Sequence, residues 1–195
     1  MVRIFRSRFA AAAVAACTMA VAVATAVPAQ ADPITGSYVA LGDSYSAGSG
    51  ILPPDFTANP LCARTTRNYP NLVADALRVD SFTDVTCGNA DTRHFYENQH
   101  PSVAPQLDAV TSDTDLVTLT IGGNDNGTLI KTIAACMSSG MFTFGLGSPC
   151  KTFYGDRFTE DITNKTYPAV KKVLEDIHAK APSAEVAIVA YPQVM

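Results

Sequence analysis

The chain has 195 residues, is 47% hydrophobic, and carries 14 Lys+Arg against 18 Asp+Glu for a formal net charge of −4. With no basic run, that balance argues against nucleic acid or an anionic membrane surface as the main partner. The length suffices for one domain with a substantial core and is short for two ordinary ones.

Residues 1–31 read as an export signal. Arg3, Arg6 and Arg8 form a basic start, Phe9 to Val27 is an alanine-rich apolar run, and Ala29-Gln30-Ala31 has the small-x-small pattern of a signal-peptidase site. The run ends at Pro28 before that triplet, which favours export over stable membrane insertion. The mature chain then begins at Asp32 and keeps 164 residues as one domain, 32–195. It loses three arginines and no acid, so its formal charge moves from −4 to −7.

Tyr38 to Leu41 is a short apolar run that predicts a buried strand, broken by Gly42-Asp43-Ser44. Gly48 to Thr66 is loop-like. Asn68 is placed to cap a helix starting near Tyr69-Pro70, with Leu72, Val73, Ala76 and Leu77 on one face. Ser81 to Thr86 predicts a second strand, running into Cys87-Gly88-Asn89-Ala90. Asp91 to Pro101 is turn-rich and holds His94 and His100. A short helix is expected between Ser102 and Val110, with Pro105 in its first turn.

Asp115 to Ile121 is the best strand, dense in β-branched residues and stopped by Gly122-Gly123-Asn124-Asp125. A helix from Gly127 to Met137 leads to a Gly/Ser/Phe-rich loop. Phe158 to Lys180 predicts a long helix, kinked near Tyr167-Pro168, with Val170, Val173, Leu174 and Ile177 as its apolar stripe. Glu185 to Ala190 is a fourth strand. Short apolar strands alternating with helices argue for a parallel α/β sheet covered on both faces.

Cys17 lies in the export signal, leaving Cys62, Cys87, Cys136 and Cys150. Four cysteines in an exported chain read as two disulfides, with three possible connectivities. Nearest-neighbour pairing closes loops of 25 and 14 residues, each contributing about 3 kcal/mol on the chain-entropy model. No Cys-x-x-Cys pair and no suitably placed His supports a metal site, so none is expected.

In a parallel sheet the three polar strand ends, at Ser44, at Gly88-Asn89 and at Asn124, share one edge. A serine hydroxyl, backbone N–H groups and an asparagine amide on that edge are the parts of a nucleophile with an oxyanion hole. The bland alternative for Ser44 is a helix N-cap. No Gly-x-Ser-x-Gly elbow occurs, which argues against an ordinary α/β-hydrolase. No phosphate-cradling glycine loop supports a flavodoxin-like cofactor binder.

Val39-Ala40-Leu41-Gly42-Asp43-Ser44-Tyr45 resembles the first signature block of the GDSL, or SGNH, hydrolases, and Gly122-Gly123-Asn124-Asp125 resembles their Gly-x-Asn-Asp block. The resemblance runs from about Tyr38 to Met195, and the export signal and cysteines look like those of secreted actinobacterial members. It implies a three-layer, flavodoxin-like α/β fold and a secreted, monomeric serine esterase or lipase without cofactor, acting on small-molecule or lipid esters. Ser44 would be the nucleophile, and the oxyanion donors would be Ser44 N–H, the Asn124 amide, and Asn89 N–H, or Gly88 N–H if the register slips by one. Asp43 and Asp125 would orient the loops. Relatives tend to read Cys-x-Gly-Ala where this chain has Cys87-Gly88-Asn89-Ala90.

The family's late Asp-x-x-His block has no match after Asn124. Asp91-Thr92-Arg93-His94 lies in the wrong loop, His100 precedes a proline, and His178 is read as a solvated helix residue. The chain is therefore expected to be a fragment, with a fifth strand, a last helix and the base-bearing loop beyond Met195, and to be weakly active and poorly stable alone. The competing function is a non-catalytic exported module that binds acyl or carbohydrate ligands on the same fold. Phe142, Phe144 and Leu146 are expected as an acyl-binding wall or as loop core. Asn164-Lys165-Thr166 is a glycosylation sequon.

Overall fold

The computed structural model describes residues 36–192, so the export signal expected over 1–31 lies outside the described residues. In chain order the elements are β1 (Ser37–Gly42), α1 (Ser44–Ala47), α2 (Tyr69–Leu77), β2 (Ser81–Asp84), β3 (Thr114–Thr120), α3 (Thr128–Phe142), α4 (Pro149–Tyr154), α5 (Arg157–Asp161), α6 (Tyr167–Lys180) and β4 (Glu185–Ile188). The strands form one parallel sheet in the order β2-β1-β3-β4. The chain leaves β1 toward β2 and then returns to place β3 on the other side. The loops after β1 and β3 therefore part at a topological switch, where open parallel sheets leave a crevice beyond the strand ends.

Period-two alternation in β1 assigns its side chains to two cores. Val39 and Leu41 join Val117, Leu119, Val173 and Ile177, so α6 covers one face. Tyr38 and Ala40 join Leu116 and Ala74, so α2 covers the other. All four of these β1 residues are at most 2% exposed, and each large apolar side chain buried this way contributes about 1.5–3 kcal/mol. The one polar atom in that run is satisfied, since the Tyr38 hydroxyl and Thr118 Oγ1 are 2.6 Å apart. β4 is an edge strand and exposes Ile188.

Asn68 caps α2, its side chain accepting from Asn71 N–H. The buried stripe of α2 is rotated from the expected one: Pro70, Val73, Ala74 and Leu77 face the sheet, while Leu72 is 62% exposed and Ala76 also faces solvent. The short helix expected within 102–110 is a 3₁₀ turn over Gln106–Ala109, with Pro105 at its N-cap. Helix α3 runs on to Phe142, past the expected end at Met137.

The long helix breaks as expected near Pro168, but through a π turn over Ile162–Thr166. Proline has no N–H to give the carbonyl of Asn164, and the ladder widens so that Tyr167 N–H reaches Ile162 O. The stripe of α6 is as expected, with Val173 and Ile177 fully buried and Val170 and Leu174 packed against them.

Candidate active site

The end of β1 must be glycine. Gly42 has φ +123°, and a Cβ there would lie 2.5 Å from the Thr120 carbonyl. The chain turns, Asp43 N–H bonds Thr120 O at 2.9 Å, and Asp43 Oδ1 caps α1 by accepting Tyr45 N–H at 2.9 Å. The N-cap is thus Asp43, not Ser44. Ser44 occupies the first helical position, half-buried, and neither its N–H nor its hydroxyl has a partner among the described residues. Because α1 is a single turn, a summed helix dipole adds little here, and individual N–H groups carry the positive potential. Ser46, by contrast, is buried and accepts Thr120 N–H at 3.0 Å, which anchors α1 to β3.

The second strand end is held by Cys87, whose N–H bonds Gly42 O at 3.0 Å and whose sulfur is joined to Cys62. Gly88 N–H is already spent on Cys62 O at 2.8 Å, so Gly88 is not a free donor. Asn89 follows in the left-handed region at φ 61°, a conformation asparagine tolerates better than most residues. It is exposed, and its N–H has no partner among the described residues.

The third end, Gly122-Gly123-Asn124-Asp125, is stitched to the second. Asn124 Nδ2 donates to Ala90 O at 2.9 Å, which fixes the amide plane and leaves its second N–H available. Asp125 Oδ1 accepts both Thr92 N–H and Thr92 Oγ1–H, at 2.9 and 2.8 Å. Both Asp43 and Asp125 titrate above the ordinary carboxylate value, chiefly because burial disfavours their charged forms. Hydrogen bonds from Tyr191 and Tyr45 to Asp43, and from Thr92 to Asp125, offset part of that rise.

Two residues of this arrangement have no signal in the sequence. Buried Gln106 bonds both sides of Gly42, accepting its N–H at 2.7 Å and donating to its carbonyl at 3.0 Å, alongside the Cys87 N–H on the same carbonyl. The Tyr191 hydroxyl, arriving from the end of β4, accepts Gly123 N–H at 3.0 Å and donates to Asp43 Oδ2. A glutamine in a turn and a tyrosine after a strand are ordinary locally, and only the long-range contact marks them.

A cleft of about 330 Å³ beside Ser44 is lined by Tyr45, Ser49, Ile51, Arg67 and Tyr69. A second, apolar groove of about 370 Å³ runs from Gly123 and Tyr191 past Leu129, Thr132 and Ile162. The larger hollow, about 410 Å³, lies around Asn59, Arg64 and Ser102 and includes none of Ser44, Asn89 or Asn124. Phe142, Phe144 and Leu146 line neither site groove and are not loop core; they are 82%, 93% and 77% exposed.

His94 Nδ1 accepts Asp91 N–H at 3.0 Å in a capping box. His178 is exposed on α6, and His100 lies at a turn. No hydrogen bond joins any of the three to Ser44. Among the described residues there is no group of three His, Cys, Asp or Glu side chains placed to hold a metal ion, and no helix long and apolar enough to cross a membrane.

The sequence model of the GDSL-like lipase/acylhydrolase family matches residues 40–195. The chain is 56% identical over 171 residues to Lipase 2 of Streptomyces coelicolor, covering 88% of this chain and 57% of that protein. The crystal structure of an extracellular lipase from Streptomyces rimosus superposes with a TM-score of 0.65 at 34% identity, covering 80% of this chain and 60% of that one. Phospholipase A1 from Streptomyces albidoflavus gives a TM-score of 0.64 at 34% identity, with 81% and 60% covered. The chain thus spans somewhat over half the length of these relatives.

Proposed function

The chain belongs to the GDSL-like lipase/acylhydrolase family, and we propose that it carries the nucleophile and oxyanion hole of a secreted ester hydrolase. Ser44 Oγ attacks the ester carbonyl, and the tetrahedral oxyanion is held by Ser44 N–H, Asn89 N–H and the free N–H of the Asn124 amide. The alcohol leaves, and water then cleaves the acyl-serine. The observation that carries this reading is the convergence of three strand ends that leave these donors and the Ser44 hydroxyl unpaired. Asp43, Asp125, Gln106 and Tyr191 hold the loops.

A general base takes the Ser44 hydroxyl proton, returns it to the departing alkoxide and then activates the water. His94, whose Nδ1 accepts Asp91 N–H, and the outlying His100 and His178 are not placed for that role. The lipase and phospholipase relatives make a lipid ester the favoured substrate, and the apolar groove beside Gly123 suits its acyl chain. Two disulfides and the export-like residues 1–31 support secretion.

In the whole protein, Ser44→Ala is expected to lower hydrolysis of a p-nitrophenyl ester by roughly a thousandfold or more. A variant that keeps a tenth of the rate overturns the proposal. Ligand binding without turnover by the unmodified protein assigns the cleft to a non-catalytic acyl- or carbohydrate-binding module.

A further inference from the structure

From its first turn beside the groove at Gly123, α3 carries an apolar stripe that packs against no core. Ile130, Ile133, Met137 and Met141 recur at helical spacing and all are exposed. Leu129, in the same turn as Ile130, lines the groove itself. The stripe ends in Phe142, Phe144 and Leu146, presented at the tip between α3 and α4. A disulfide from Cys136 to Cys150 closes the base of that tip. Phe144 sits at φ 52°, a left-handed conformation that disfavours a bulky side chain, and is 93% exposed. Neither core packing nor backbone ease accounts for an aromatic residue there. A contiguous apolar surface of this kind marks an interaction site.

The charges of the same stretch identify its partner. Thr128 to Gly155 contains two lysines, Lys131 and Lys151, and no aspartate or glutamate, in a chain where acids outnumber bases 18 to 14. Carboxylates are costly at a lipid surface, whereas lysines can reach headgroup phosphates along their apolar stems. The acidic remainder of the chain disfavours an anionic bilayer. A zwitterionic phospholipid surface meets both conditions, with methionine and aromatic side chains entering the headgroup region and Lys151 pairing with phosphate, while Lys131 donates to the Asn126 carbonyl just before α3. We infer that the α3–α4 tip docks this protein on a zwitterionic phospholipid surface, with the α3 stripe leading from that surface to the groove beside Gly123. This rests on the ester-hydrolase reading only for its purpose, since docking requires no reaction.

Sedimentation of the protein with phosphatidylcholine vesicles tests it. The unmodified protein and Ser44→Ala are expected to bind equally, and Phe142→Ser/Phe144→Ser/Leu146→Ser to lower the bound fraction at least tenfold with an unchanged melting temperature. No binding, or equal binding by the triple variant, overturns the inference. Binding that appears only when phosphatidylglycerol is added also overturns it. A dimer in lipid-free sedimentation velocity that the triple variant dissociates assigns the face to a second copy instead. Retained ester hydrolysis by Ser44→Ala would sink the catalytic reading while leaving the vesicle result standing.

Discussion

Two disulfides close loops of 25 and 14 residues, and their surroundings could hardly differ more. Cys62–Cys87 is sunk in the fold, with Cys87 fully buried and Gly88 N–H bonded to the Cys62 carbonyl. Arg64, two residues on, is held by Asp55 and Asp84. Cys136–Cys150 ties a tip whose large apolar side chains face solvent. The chain-entropy term is about 3 kcal/mol for either bond, so the bond itself does not distinguish them. What differs is what each bond is packed against: the first fixes the turn that presents Asn89 N–H, the second fixes an outward-facing surface.

The comparison can be broken most forcefully at the site. Asn124→Ala removes both the tie to the Ala90 carbonyl and the amide proposed for the oxyanion. It is expected to slow reaction of Ser44 with a fluorophosphonate by roughly a hundredfold to a thousandfold. A rate within threefold of the unmodified protein would take Asn124 out of the hole.

The disulfides themselves come next. Cys62→Ala/Cys87→Ala is expected to cost about 2–5 kcal/mol in denaturant unfolding and to slow the fluorophosphonate reaction at least tenfold as the Asn89 turn relaxes. Cys136→Ala/Cys150→Ala is expected to leave that reaction within twofold while weakening vesicle binding. Equal effects of the two pairs on Ser44 would erase the distinction.

Histidines give a smaller contrast. His94→Ala breaks the capping box with Asp91 and is expected to cost about 1 kcal/mol, with Ser44 reactivity unchanged. His178→Ala is expected to stay within about 0.5 kcal/mol. Loss of Ser44 reactivity in either would name the base.

The gentlest probe is pH. Asp43 and Asp125 titrate above 3.8 in the fold because burial disfavours their charge. The folded chain therefore holds those protons more tightly than the unfolded chain. The stability they contribute is full below 3.8 and is lost as pH rises through their folded values. Asp55, beside the first disulfide, has the opposite sign. Burial pushes it up, but hydrogen bonds from Thr57 and the Arg64 charge outweigh burial and lower it. Its contribution is present above 3.8 and lost as pH falls through its folded value. The unfolding midpoint is thus expected to rise as pH falls through the folded values of Asp43 and Asp125 toward 3.8, and to fall again below it as Asp55 is protonated. A monotonic fall from neutral would show that the site carboxylates are not penalised.

The sheet and its polar edge were legible because they are local. Apolar runs of four to seven residues ended by Gly42-Asp43-Ser44 and Gly122-Gly123-Asn124-Asp125 announce strand ends without reference to the rest of the chain. The fixing of that edge was not legible. Gln106 reaches Gly42 across 64 residues and Tyr191 reaches Asp43 across 148, and no periodicity encodes a side chain meeting a distant backbone group. The choice between Gly88 and Asn89 also waited on a long-range contact, the Cys62 carbonyl that takes the Gly88 N–H. Phe142, Phe144 and Leu146, expected as an acyl-binding wall or as loop core, line neither groove at the site and are exposed, because a local apolar run does not say which distant surface, if any, it meets.

The central claim is that Ser44 is the nucleophile. Peptide mapping by mass spectrometry after fluorophosphonate treatment tests it directly. One adduct is expected, on the peptide carrying Ser44, absent in Ser44→Ala. An adduct on Ser46 or Ser49, or labelling undiminished in Ser44→Ala, would contradict it.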